Sequence, residues 1–476
     1  MIADLKPYAE YKESGLPWLG QVPDTWRVVR NGSLFAQRNE TGYGELPVLE
    51  VSLKTGIRVR NFESSARKQV MSDRGKYKRA LKGDLAYNMM RMWQGAVGVS
   101  PVDGLVSPAY VVARPYPGVE PKFFTALFRT DDYMSEVDSC SRGIVKDRNR
   151  LYWSDFKQIL SPCPSSDEQA AIVRFLDWAN GRLERAIRAK RKVIALLGEQ
   201  KQAIIHRAVT RGLDPSVPLK PSGIPSIGDI PQHWEIKRLR TLVDHIDQGV
   251  SPLAVGFLAE GDSWGVLKSG CVNRGVFRET EHKQLARNFK IDPSIVVEIG
   301  DVLISRACGS PSLVGSVGRV KSLRYKLILS DKTFRTRFRD RVDVDFMVFA
   351  MNCGYYRNQV EQAISGADGM ANNLPLSSLR DFVFAIPPAA EAALIVKFLE
   401  SEATGIQNTI SRLEREIELL REYRTRLVAD VVTGKLDVRE AARSLPDIPN
   451  LGNELEADET ELEAEFESGK GALIDG

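Results

Sequence analysis

With 476 residues, 43% of them apolar, the chain is long enough for about three domains of ordinary size, each with a real core. No run approaches the ~18 consecutive apolar residues of a membrane span. The first residues, MIADLKPYAEYKESG, lack a signal-peptide core, so a cytoplasmic protein with no membrane contact is expected. The net charge of +4 hides a division: from Glu454 to Gly476 nine acids face one lysine, and the preceding 453 residues carry +12. A moderately basic body suits a polyanionic partner. The Glu-rich tail reads as solvated and disordered.

In chain order, the first distinctive segment is KESGLPWLGQVPDTWRVVR from Lys12, which returns as KPSGIPSIGDIPQHWEIKR from Lys220. Ser14, Gly15, Pro17, Gly20, Pro23, Trp26 and Arg30 recur at an offset of 208 as Ser222, Gly223, Pro225, Gly228, Pro231, Trp234 and Arg238. Gly83-Asp84-Leu85 then echoes as Gly300-Asp301-Val302, and Gly95-Ala96-Val97-Gly98 as Gly315-Ser316-Val317-Gly318. EQAAIVRFLD at Glu168 and TRGLD at Thr210 return as EAALIVKFLE at Glu391 and TGKLD at Thr433, now at an offset of 223. Solenoid periods are about 20–50 residues, so this spacing means a duplicated domain plus helix. Residues 31–80 and 239–299 differ: two similar holders carry two different inserts.

Within each half, LPVLEVSL, GDLAYNM, GLVSPAYVVARP and DVLISRA read as strands between turns. PKFFTALFRTDDYMSEVDS and VDFMVFAMNCGYYRNQVEQAI read as short amphipathic helices, giving mixed α+β inserts. A proline-marked long helix follows each. Its seam in the first half is Ile172, Leu176, Ala179, Leu183, Ile187, Lys190, Ile194, Leu197, Lys201, Ile204 and Ala208, with steps of three and four residues. The second seam is Ile395, Leu399, Glu402, Ile406, Ile410, Leu413, Ile417, Leu420, Arg424, Leu427 and Val431. About 40 residues make a rod of ~60 Å. Equal lengths favour an antiparallel coiled coil with a pseudo-two-fold axis over helices packed each on its own domain. A midpoint near Lys190 and Leu413 would set Lys201 opposite Glu402; snorkelling of both side chains to water is the alternative.

Chemistry-bearing motifs are missing. There is no GxxxxGK[ST] loop, no GxGxxG, and no Asn-Pro-Pro-aromatic or Asp-Pro-Pro-aromatic tetrapeptide. The four histidines are isolated, and the five scattered cysteines show no CxxC spacing, so reduced thiols and no metal site are expected. Basic and amide side chains do gather in glycine-containing loops. Arg142, Lys146, Arg148, Asn149 and Arg150 form one group, with Ser365, Asn372 and Asn373 as its counterpart, and Arg91 and Arg306 each follow a Gly-Asp strand. Arg forks match guanine edges, Asn amides match adenine, and glycine-loop amides match phosphates. Each residue alone reads better as part of an ordinary solvated loop; it is the loops as a group that point to DNA.

The duplicated SG[LI]PxxGxxPxxW segments, the proline-marked Glu-Gln helix start and the TRGLD/TGKLD ends resemble type I restriction–modification specificity subunits, from about Lys12 to Asp437. The chain departs from that pattern where Ala392 follows Glu391. The resemblance implies a first target-recognition domain at residues 1–165 and a spacer helix at 166–211. A second target-recognition domain at 212–390 and a second spacer helix at 391–437 follow, with the acidic tail at 438–476. It also implies a non-catalytic subunit that reads a bipartite, asymmetric site in double-stranded DNA. Two methyltransferase subunits would dock on the helices and restriction subunits would join through them, with S-adenosylmethionine, ATP and magnesium held by those partners. A coiled-coil scaffold without DNA specificity, or a nuclease with an unfamiliar site, are the other readings of the residues.

Overall fold

The computed structural model describes residues 5–53, 56–60, 74–143, 149–273, 275–286, 288–364 and 372–446. They form two compact units, one built from Met1–Lys190 with Glu414–Asn450, the other from Arg191–Leu413. The division falls inside both long helices rather than at their ends, where the sequence places domain boundaries.

In the first unit a short hairpin pairs Tyr11–Glu13 with Gln21–Pro23. Strand Arg27–Arg30 then pairs antiparallel with Leu160–Cys163, the last strand before the long helix. The insert between them therefore leaves and returns side by side. Inside it, four antiparallel strands lie in the order Phe35–Arg38, Tyr110–Pro115, Leu85–Asn88, Val97–Val99. Strand side chains alternate between faces. Leu85, Tyr87, Val111 and Ala113 enter the main core under Phe123, Phe124 and Phe128, while Ala86 and Val112 pack with Leu49, Ile57 and Val106 on the other face.

The second unit repeats the frame. Leu219–Pro221 pairs with Asp229–Pro231, and Glu235–Arg238 with Val383–Ile386. The same four-strand order follows: Val243–Gln248, Thr333–Phe338, Val302–Ser305, Val317–Arg319. Val302 and Ile304 face the main core and Leu303 faces a second one. This insert is larger. Gly275–Phe277 and Val272–Asn273 extend the sheet, and a separate sheet is formed by Ala254–Val255, His282–Leu285, Trp264–Leu267 and Lys326–Ile328.

The stretches read as single amphipathic helices are each two: Pro121–Phe128 and Asp131–Cys140, then Val344–Ala350 and Gly354–Ala363. The first break is set by Thr130, whose side chain accepts from the Tyr133 N–H and so starts a new helix.

The long helices run unbroken over Ser166–Arg211 and Ala389–Val432. Gly212 and Gly434, at φ of 71° and 80°, end them in the left-handed region. In the first unit Ile172, Leu176, Leu183 and Ile187, with Ile417, Leu427 and Val431, are buried, and Leu420 is half-buried. In the second, Ile395, Leu399 and Ile406 are buried, while Ile194, Leu197, Ile204, Ile410 and Leu413 are half-buried. Ile205 replaces Ile204 as the fully inward residue. A straight helix drifts ~20° per heptad from a 3.5-residue seam, which moves the inward position one residue onward by the end of the helix.

Within the first unit the helices are antiparallel: Glu184 pairs with Arg424 at 3.1 Å and Lys190 with Glu416 at 2.6 Å. A midpoint at Lys190 and Leu413 would instead set Arg424 opposite Ala179, so the observed register corrects that midpoint. Lys201 and Glu402 form no ion pair, because Glu402 lies on the exposed face. The tail needs a second correction. Residues 438–446 are folded, with helix Arg439–Arg443 placing Val438, Ala442 and Leu445 in the first unit's core; residues 447–476 lie outside the described residues.

The helix ends supply a paired prediction. A Cβ on Gly434 would sit 2.4 Å from Pro23 Cδ, in a backbone that L residues rarely adopt. Gly434→Ala should lower stability by about 1–3 kcal/mol. Gly405→Ala, in an open helical position with nothing within 4 Å, should raise it by about 0.5–1 kcal/mol. Thermal melting of both variants checks the opposite signs.

Candidate nucleic-acid interface

Each insert is fastened to a long helix by the same interaction. Trp26 is fully buried, and its indole N–H donates to Glu168 Oε1 at 3.0 Å in the helix's first turn. The Tyr8 hydroxyl donates to the same oxygen at 2.7 Å. Burial and that carboxylate push the Tyr8 phenol far above its usual range, so it stays a neutral donor. In the second unit the Trp234 N–H reaches Glu391 Oε2 at 3.1 Å, joined by His233 at 2.7 Å. A carboxylate at a helix N-terminus is also favoured by the helix dipole. The repeated Trp and Glu seen in the sequence are therefore two halves of one contact.

The departure at Ala392 has a local reason. Gln169 is buried in the first unit, where it accepts from the Glu120 N–H at 2.9 Å and donates to the Pro164 carbonyl at 2.9 Å. Ala392 instead packs in the apolar core of the second unit.

The loops singled out by composition are brought against the central sheets in the same way twice. The Leu151 N–H donates to the Met89 carbonyl at 2.9 Å, and the Leu374 N–H to the Arg306 carbonyl at 2.9 Å. The described end of each polar loop thus lies against the turn that follows the Gly-Asp strand. In the first unit Arg91 is exposed on that turn, just before the short helix Met92–Gln94. Arg142 is tied to Asp155, and its backbone bridges Arg150. Asn149 donates to Asp138 Oδ1 at 2.9 Å. Lys146 and Arg148 lie outside the described residues, as does Ser365.

In the second unit Asn372–Asn373 pairs with Ala307–Cys308, and the Asn372 amide reaches the Gly309 carbonyl at 3.5 Å. Arg306, the other residue after a Gly-Asp strand, is held differently from Arg91. It is half-buried, donates to the Asp331 carbonyl at 2.9 Å, and lies over the Phe334 ring. A guanidinium held this way shapes the loop more than it presents a fork.

Sequence reasoning missed the polar anchor beneath each turn. Asp84 accepts from Arg38 at 2.7 Å and from the Leu81 N–H at 2.9 Å. Asp301 accepts from the Glu298 N–H at 2.9 Å and lies 3.4 Å from Arg335, itself almost fully buried and paired with Asp247 at 2.6 Å. Burial raises the Asp301 carboxyl while Arg335 opposes that shift. The repeated Gly-Asp dipeptide is the signal that pointed here. Among the described residues no cluster of His, Cys, Asp and Glu suits a metal ion, and no helix is long and apolar enough to cross a membrane.

The fold is defined by two insert-bearing frames, each carried on a long helix, and known proteins share it. No protein-family model matches the chain. It is 29% identical over 188 residues to the type I restriction enzyme EcoEI specificity subunit of Escherichia coli, covering 39% of this chain. It is 24% identical over 288 residues to the MjaVIII specificity subunit of Methanocaldococcus jannaschii, covering 60% of this chain. The matches span only 32% and 64% of those relatives' own lengths. A solved chain from work on assembly and conformational transition of the type I restriction–modification system superposes with a TM-score of 0.65 at 16% identity. That likeness covers 87% of this chain and 99% of the other. The chain is a homologue of type I restriction enzyme specificity subunits.

The clasp predicts an asymmetry between the halves. Glu168→Ala would strand two buried donors and should lower stability by about 2–4 kcal/mol. Glu391→Ala should lower it by about 1–2 kcal/mol, because Glu391 and His233 remain partly exposed, at 28% and 45%. Denaturant unfolding of the two variants gives the order; equal losses would show that the clasp is not the main fastening.

Proposed function

We propose that this chain is the DNA-specificity subunit of a type I restriction–modification complex, acting in the cytoplasm. Each insert reads one half of a bipartite, asymmetric site in double-stranded DNA. The long helices form the antiparallel coiled coil that sets the gap between the half-sites and docks two methyltransferase subunits, through which restriction subunits join. The chain itself is non-catalytic, and S-adenosylmethionine, ATP and magnesium belong to the partners. The observation that carries this reading is one frame built twice around unlike inserts. The same four-strand order rests on the same Trp–Glu fastening, while the second insert has a whole additional sheet. Two different readers on one scaffold suit two different half-sites.

Methylation profiling of host DNA with and without the chain tests the reading. A bipartite methylated site should depend on it, and purified chain alone should methylate nothing. Because each insert leaves and returns along one ladder, replacing residues 31–165 with the corresponding insert of a relative should change one half-site and leave the other. A simultaneous change in both halves would refute independent readers. Inserting one helical turn near Lys190, a rise of about 5.4 Å, should shift the gap or abolish binding, since half-sites must also keep phase with about 10–10.5 base pairs per turn.

A further inference from the structure

The extra sheet of the second unit does more than enlarge it. Between that sheet and the central one lies a cleft of about 480 Å³. Its lining includes Gly309 and Ser310, so it is continuous with the turn held by Arg306 and Asn372. Four cationic side chains line it, Lys268, Arg278, Lys283 and Lys332, against two acids, Glu281 and Asp331. Among the described residues only Lys268 of the four is engaged in an ion pair, with Glu281 at 3.8 Å. Lys283 and Lys332 are exposed and Arg278 is half-buried. With four cations against two acids the cleft carries an excess of positive charge, which a polyanion neutralises.

Resting on the DNA-reading function proposed above, we infer that this cleft grips the sugar–phosphate backbone at the second half-site, with Arg278, Lys283 and Lys332 each neutralising a phosphate. The walls supply what such a grip uses: hydroxyls and backbone amides from Ser269, Gly270 and Ser310 stand beside the cations. Two of the walls, Trp264–Leu267 and His282–Leu285, belong to the additional sheet. Among the described residues the first insert has two-stranded ladders in its place, Leu49–Ser52 with Gly56–Val59 and Lys78–Ala80 with Gly104–Val106. The second reader therefore carries a backbone grip that has no counterpart among the described residues of the first. An acidic surface of a partner subunit is the other polyanion that such a cleft would accept; continuity with the Asn372 turn favours DNA.

The test is the salt dependence of binding by the full chain. Two probes are used: a duplex carrying the site defined by methylation profiling, and a random-sequence duplex of equal length. Counterion release gives a slope of about −0.9 per neutralised phosphate. Arg278→Gln, Lys283→Gln and Lys332→Gln should each reduce the steepness of log K against log salt by about 1, and the triple variant by about 3. The loss should appear on both duplexes, and the preferred site sequence should not change. Circular dichroism and melting confirm that the variants are folded. Unchanged slopes in a triple variant that still binds the site overturn the grip while leaving the DNA-reading function intact. So does a loss of affinity for a methyltransferase subunit with DNA slopes unaltered. A wild-type chain that binds neither duplex overturns both.

Discussion

A buried indole N–H donated to a carboxylate at a helix start is the constraint on which the rest of this molecule depends. An indole nitrogen out of water without a partner is costly, and a carboxylate so nearly buried is costlier. Each resolves the other only if the lead-in segment and the helix start are held in one place. Once they are, the strand after the tryptophan and the strand before the helix lie close enough to pair, as Arg27–Arg30 with Leu160–Cys163 and Glu235–Arg238 with Val383–Ile386 do. The insert is then closed at its neck, and its interior can diverge without disturbing the helix. The helix-ending glycines belong to the same arrangement: Gly212 packs against Trp234 and Glu391, and Gly434 against Pro23 and Trp26.

Much of this frame was legible in the sequence because duplication writes each constraint twice. Gly15 and Gly223, Trp26 and Trp234, Glu168 and Glu391 stood out against divergent surroundings, and each pair proves to hold a backbone or a fastening. The first long helix was readable to its ends, since an apolar seam without proline and a terminal glycine are local signals. The pairing register was not, because it is decided by which charged residues flank the seam on a distant helix. Glu184 and Arg424 lie next to the apolar rows, and nothing local marks them as partners. Residues 438–446 were hidden for a similar reason. A three-residue apolar pattern, Val438, Ala442 and Leu445, gains meaning only beside the core it fills.

The candidate interface was half legible. Composition picked out loops that the fold brings to the same turn in both units. It did not distinguish exposed Arg91 from Arg306, whose guanidinium is spent on a carbonyl and an aromatic ring. Nor did it find Arg278, Lys283 and Lys332; the first two are near neighbours in the chain, and Lys332 joins them in one cleft from beyond the parallel strand Lys326–Ile328 of the additional sheet. Long-range strand pairing of that kind leaves little trace in local periodicity.

The end of the second helix meets the beginning of the chain. The Asp437 N–H donates to the Lys6 carbonyl at 2.8 Å, and the Tyr11 hydroxyl donates to the Gly434 carbonyl at 3.2 Å. In the second unit the corresponding junction, from Gly212 toward Trp234, is continuous polypeptide. The first unit thus closes by hydrogen bonds a junction that the second closes by the chain itself, so this junction can open in the first unit without breaking a covalent bond.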